Sequence, residues 1–250
     1  SSEDIDAPIG TFGLPEFGTH FLQQVLVDAK PNNFADLLQI SGLTHGTDVW
    51  TGNAQDLIRE GICDISQVIG TRDGIMLDMI RYGLDNAMSF KIMEAVRKGR
   101  GLPDGAEEEM VAAGVPAWYI GSCKKIKYLF PKAHAAAYVM MAFRIAWFKV
   151  HEPVAFYAAY FYRRSQKGGF DAGMMCGGTE AVRRKINEMR RKPDLTANEG
   201  DLLVTLEAVY EFNMRGYEFA PIDLYESDAT KFGVVDDKRL RPPFVSVAGL

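Results

Sequence analysis

Two prolines, Pro131 and Pro153, constrain this chain more than any other pair of residues. Proline fixes φ at about −65°, which suits the first turn of a helix and disrupts a helix interior. The stretch between them, KAHAAAYVMMAFRIAWFKVHE, contains neither glycine nor proline. It therefore predicts a long helix that opens at Pro131 and ends near His151. His134, Tyr138, Met141 and Ile145 fall on one face of it, at spacings of four, three and four.

The start of that helix breaks a local rule. Lys124, Lys125 and Lys127 precede it, and Lys132 and His134 lie in its first turn. Cations there oppose the partial positive charge of the helix N-terminus. An anion held by free backbone N–H groups and the side chains together resolves the conflict, and phosphate is the obvious candidate. Tyr128, Phe130 and Tyr138 could supply stacking surface for a base. A lone histidine at such spacing is more often a satisfied core residue, and Phe130 equally fits a core.

Charge is distributed unevenly. Between Gly121 and Lys167 stand nine Lys and Arg against one acid, Glu152, a net of +8. With −5 for the whole chain, the remainder carries −5 − 8 = −13. A basic block on an acidic body focuses a field toward anionic partners, although a solvated helix face gives the same count. A second cluster joins Lys91 to Arg97, Lys98 and Arg100 of EAVRKGRG, at a predicted helix C-terminus, where the dipole favours cations in any case. Arg72 stands at the unfavourable end of its helix and can fork to phosphate oxygens or pair with Asp73.

Other chemistries find little support. The sequence lacks GxSxG, HExxH and Walker motifs, and Cys63, Cys123 and Cys176 have no metal-ligand spacing. Reduced, unpaired cysteines fit an intracellular protein. Asp4 and Asp6 resemble a metal-carrying pair but read as solvated acids. No catalytic residue and no metal site is assigned. No stretch reaches the roughly 18 to 20 apolar residues of a membrane span, and both ends read as cuts in a longer polypeptide.

The pattern is mainly α. Thr19 caps FLQQVLVDA, with Phe21, Val25 and Leu26 on one face; Asn33 caps FADLLQI; Ser41 to Asn53 reads as a long polar loop. Short helices are expected at AQDLIRE and DISQVI, then helices over Arg72 to Gly83 and Asn86 to Gly101. Pro116 opens a helix through Phe130. After the aromatic VAFYAAYFYRR, the segments TEAVRRKINEMRRK and EGDLLVTLEAVYEFNMRG read as a packed pair. Past Gly216, YEFAPIDLY, TKFGVVDD and RLRPPFVSV look like short strands. The expected organisation is a multi-helix domain over 1–216 and a small β-containing segment over 217–250.

Several stretches carry a family resemblance: TFGLPEFGTHF, LLQISGLTHGTDVWTGNAQDLI, VIGTRDGIM, SFKIMEAVRKGRG, PAWYIGSCKKIKYLFPKAHAAAYVMMAFRIAWFKVHEP and RPPFVSVAGL. Through them the chain resembles the fingers region of the PolC-type DNA polymerase III alpha subunit, a C-family replicative polymerase of low-GC Gram-positive bacteria. DnaE-type alpha subunits share a looser version of KAHAAAY, whereas LTHGTDVW and VRKGRG favour PolC. The resemblance implies a fragment of a DNA-directed DNA polymerase, inactive alone, whose fingers bind the incoming dNTP and pack against the nascent base pair. It implies that Mg²⁺ is held by a palm outside this chain. Arg72, Lys132 and His134 would meet the triphosphate, with Lys125 and Arg97 next. Tyr128, Phe130 and Tyr138 would lie near the base, and Lys98 and Arg100 would touch template phosphates. Residues 217–250 would lead into a truncated tandem helix-hairpin-helix. The implied partners are dNTP, primer–template DNA, the palm and other domains of the same polymerase, and, through the full-length protein, the sliding clamp and replisome, in the cytoplasm and without a membrane. A non-catalytic helical DNA-binding module is the alternative from another class. The segment Gly173 to Glu180 departs from the family and reads as surface variation.

Overall fold

Side-chain caps start many of the helices. Thr19 Oγ1 accepts from the Leu22 N–H at 3.3 Å to open α1, His20–Ala29. Asn33 Oδ1 accepts from Asp36 at 3.0 Å and opens α2, Phe34–His45. Thr71 caps α4, Arg72–Arg81, and Asp85 caps α5, Asn86–Arg97, by accepting from Ala87 and Met88. Thr196 and Glu199 form a reciprocal capping box at α12, Ala197–Met214. Each such cap supplies an acceptor for otherwise orphaned N–H groups and contributes about 1 kcal/mol.

The computed structural model describes residue 5 and residues 7–249, so Asp4 and Asp6 lie outside the described residues. The chain forms two compact units: Thr19–Ala142, and Ser1–Gly18 together with Phe143–Leu250. The change from helix to strand near residue 217 falls within the latter. Among the described residues no helix is long and apolar enough to cross a membrane.

In the unit Thr19–Ala142, α4 and α5 pack as a helical pair, burying Ile75, Met79, Ile92 and Val96. The shorter helices are α3 (Gln55–Arg59), α6 (Ala106–Ala112) and α7 (Ala117–Lys125); the unit ends within α8, Lys132–His151. Four expectations are corrected here. The helix capped by Asn33 continues through Ser41, Gly42, Leu43 and Thr44 to His45, which shortens the expected loop. A Cβ at Gly42 would sit 2.1 Å from the Gly70 carbonyl oxygen, so close backbone packing holds a glycine inside this helix. DISQVI forms turns rather than a helix, and Phe21 is exposed while Gln23, Val25 and Ala29 are buried. Finally, α7 stops at Lys125, not Phe130, because residues 127–130 spend their backbone groups elsewhere.

The other unit holds α9 (Pro153–Ser165), α10 (Ala172–Met175), α11 (Thr179–Arg190) and α12. The helices α11 and α12 pack together, as their patterns predict. A three-stranded sheet has order β1-β3-β2: β1 (Glu218–Phe219) runs parallel to β3 (Arg239–Arg241), and β2 (Gly233–Val234) antiparallel to it. The core is aromatic. Phe161, fully buried, meets Tyr157, Phe170, Phe212, Phe219 and Phe232 at centroid distances of 5.4 to 5.9 Å. Met175 is fully buried here, so the divergent segment Gly173 to Glu180 is in part core, not surface alone.

This unit also buries a charge. Lys149, at 5% exposure, donates to the carbonyls of Gly10 at 2.9 Å and Phe12 at 2.6 Å, and pairs with Glu211 at 2.7 Å. Tyr157 donates to Glu211, and Arg215 donates to the Tyr157 hydroxyl. Burial pulls the Lys149 ammonium below the ordinary lysine value, against the attraction of Glu211. The arrangement pins residues 10–12 to helix side chains that could not stay charged without partners.

Candidate functional site

The site is built on a stretch of chain that is neither helix nor sheet. Residues 126–131 run extended between α7 and α8, and main-chain bonds hold them from both sides. The Lys127 N–H donates to the Thr47 carbonyl, and the Thr47 N–H to the Tyr128 carbonyl, both at 3.0 Å. The Leu129 N–H donates to the Arg97 carbonyl at 3.3 Å, and the Arg72 N–H to the Phe130 carbonyl at 3.2 Å. Thus the C-terminus of α5 and the N-terminus of α4 are tied to adjacent residues. Two glycines allow the approach: a Cβ at Gly46 would sit 2.7 Å from the Tyr128 oxygen, and one at Gly99, where φ is 68°, 2.6 Å from the Lys127 oxygen.

From this seat the Phe130 ring stacks on His45 with centroids 5.0 Å apart, and meets His134 edge-on at 5.0 Å. The His134 ring meets Tyr138 at 4.8 Å. The four rings make a ladder along the first turns of α8. His134 is exposed, so it is not the satisfied core residue that its spacing allowed, and Tyr138 is 46% exposed. Aromatic pairs at these separations attract by about 0.5–1.5 kcal/mol each.

Beside the ladder the first turn of α8 meets an anionic oxygen. Asp73 Oδ2 accepts from the Lys132 N–H at 2.7 Å and lies 4.0 Å from Arg72 Nε. The Lys132 ammonium is exposed and has no partner among the described residues. It borders a cleft of about 170 Å³ lined also by Gln39, Gly70, Thr71 and Gly74. A carboxylate on a helix N-terminal amide satisfies an orphan donor and the dipole together.

Other residues chosen from sequence lie elsewhere. Lys125 Nζ donates to the Gly52 carbonyl at 2.9 Å, and Lys124 pairs with Glu107 at 2.7 Å. Arg97 forks onto Glu94, and Lys98 pairs with the same carboxylate at 2.7 Å. Those two cations, Arg97 first, hold the Glu94 carboxyl down at about 2. The Arg100 and Lys127 side chains are exposed with no partner among the described residues. Arg72, Phe130, Lys132, His134 and Tyr138 are therefore brought together, while Lys125 bonds to a different segment.

Sequence reasoning missed His45 and Asp73 as members of the site. His45 stood in a presumed loop, and Asp73 was weighed only as a partner for Arg72. Its bond to Lys132 spans 59 positions, and no local pattern reports such a pairing. Among the described residues no group of three or more His, Cys, Asp or Glu stands close enough to hold a metal ion.

Comparison with known proteins adds to this geometry. Residues 7–115 match the family described as bacterial DNA polymerase III alpha subunit finger domain. The whole chain is similar to proteins named DNA polymerase III PolC-type. It is 53% identical over 251 residues to that of Bacillus subtilis (strain 168) and 54% identical over 249 residues to that of Oceanobacillus iheyensis. Over 257 residues it is 53% identical to that of Lactococcus lactis subsp. lactis. The chain spans 17% of the length of the Bacillus and Oceanobacillus relatives and 16% of the Lactococcus one.

Proposed function

We propose, from the premise that this chain is a fingers-bearing segment of the PolC-type DNA polymerase III alpha-subunit family, that it receives the incoming deoxynucleoside triphosphate during template-directed DNA synthesis. Phosphate oxygens accept from the backbone N–H groups of the first turn of α8, with the Lys132 ammonium and the Arg72 guanidinium closing around them. The ladder of His45, Phe130, His134 and Tyr138 presents its exposed edge to the base and the nascent pair. Arg97, Lys98 and Arg100 face template phosphates.

One observation carries this reading: an anionic oxygen, that of Asp73, already sits 2.7 Å from the Lys132 amide, between that amide and Arg72. A phosphate oxygen takes over the same donor and releases Asp73. Mg²⁺, as the family resemblance implies, would be held by a palm elsewhere in the polypeptide. DNA synthesis, the primer–template, the other polymerase domains, the sliding clamp and a cytoplasmic location belong to the same proposal, since they concern the full-length protein.

The test is steady-state kinetics of the full-length polymerase. Lys132→Ala should raise KM for dNTP about tenfold, since a charge-assisted bond contributes about 1.5 kcal/mol. Asp73→Asn should move KM the other way by removing the competing charge. Unchanged KM and kcat for Lys132→Ala would sink the assignment. A helical DNA-binding module without polymerase function would bind duplex DNA with steep salt dependence and ignore free nucleotide.

A further inference from the structure

The exposed side of α5 is unlike an ordinary solvated helix face. Its buried side, Ser89, Ile92, Met93 and Val96, is turned into the unit. On the opposite side stand Phe90, 50% exposed, and Lys91, exposed with no partner among the described residues. Glu94, Arg97 and Lys98 follow on the same side one and two turns later, and Arg100 lies just beyond the helix. Residues 90–101 and 127–128 hold five Lys and Arg against one acid, a net of 5 − 1 = +4.

The helix dipole accounts for part of this. Cations in the last turn stabilise a helix wherever it occurs, which covers Arg97 and Lys98. It does not account for Lys91 in the middle of α5, nor for a phenylalanine in water beside it. Location adds a second argument. The Arg97 carbonyl accepts from Leu129, and Gly99 packs against the Lys127 backbone, so the cationic end of α5 is fastened to the strand that carries Phe130. Tyr128, 43% exposed, lies on that strand. Exposed aromatic rings interleaved with cations are what an unpaired nucleic-acid strand requires: flat faces for the bases and charge for the backbone. Arg97 and Lys98 share Glu94, but an apolar protein partner that used Phe90 would leave Lys91 and Arg100 without carboxylates or phosphates.

We propose that the outer face of α5, centred on Phe90 with Lys91, Arg97, Lys98 and Arg100 around it, is a stacking platform for the unpaired template strand ahead of the primer terminus. The inference rests on the reading above, which already turns Arg97, Lys98 and Arg100 toward template phosphates, and extends it to Phe90 and Lys91 and to the bases of the unpaired strand. Bases stack on Phe90 without regard to sequence, while the cations track the phosphates.

The experiment measures affinity of the full-length polymerase for primer–templates whose template overhang is either a single nucleotide or long enough to reach α5. Phe90→Ala should weaken binding of the long overhang about tenfold (~1.4 kcal/mol) and leave the single-nucleotide overhang and the KM for dNTP unchanged. Phe90→Trp should restore the lost affinity, and Lys91→Gln should lower the salt dependence of long-overhang binding by about 0.7 in log–log slope. The platform is refuted if Phe90→Ala leaves long-overhang binding intact, as it would if this face docks a protein, or if both substrates weaken equally. Failure here with an elevated KM in Lys132→Ala would overturn the platform alone. An unchanged KM in Lys132→Ala would overturn the nucleotide site instead.

Discussion

Helix α8 carries two lysines that were alike as sequence and are opposite as structure. Lys149 is buried among two carbonyls and Glu211, whereas the Lys132 ammonium stands in solvent with no partner among the described residues. The aromatic clusters of the two units divide in the same way. Tyr157, Phe161, Phe170 and Phe212 fill a core, while Phe130, His134 and Tyr138 form a ladder that leaves Tyr138 nearly half exposed. Ring centroids stand 5.1 to 5.7 Å apart in the core and 4.8 to 5.0 Å apart in the ladder, both within ordinary aromatic contact. What separates a structural cluster from a candidate binding cluster is therefore not how rings meet, but whether surrounding groups have already been neutralised. A lysine buried among its partners has nothing to offer a ligand.

The contrast can be broken by substitution. Phe161→Ala should cost about 4 kcal/mol, as deletion of a fully buried ring does, read by denaturant unfolding. Tyr138→Ala on the ladder should cost no more than about 1.5 kcal/mol by the same measurement. Equal costs would erase the distinction. Lys149→Met comes next, at about 3 kcal/mol, because Glu211 and two carbonyls lose their shared partner. Adding Glu211→Leu to it should recover part of that loss, which sharpens the claim that the pair fixes geometry more than it stabilises.

The smallest effect concerns a thiol. Burial, helped by the nearby Asp78 carboxylate, pushes Cys123 up to about 12 from a reference of 9.0. A pKa raised in the folded state gives a contribution that is complete below the unfolded value and fades as pH rises from 9.0 toward about 12. Alkylation of native protein at about pH 8.5 should therefore spare Cys123, and unfolding should expose it. Rapid labelling without unfolding would contradict its burial.

Much of the fold was legible. Thr19, Asn33 and the Pro131–Pro153 bracket announced helices because capping and proline chemistry act within a few residues. The extension of α2 to His45 was not, since serine, glycine and threonine argue for a loop and only the Gly70 backbone, a distant segment, overrules them. The cationic start of α8 pointed to an anion, and the structure places one there, but from within the chain. Asp73 could not be chosen from its sequence neighbours, and the strand over 127–130 is too short to show a period.

That strand has a consequence for how such a site can change. Its anchors are peptide groups and two glycines, so the architecture does not depend on what the side chains at 127, 128 and 130 are. Chemistry beside the start of α8 is thereby less tied to folding than in the core. Selection, or a laboratory library, can rewrite those three positions and obtain new preferences from a backbone that stays where it was.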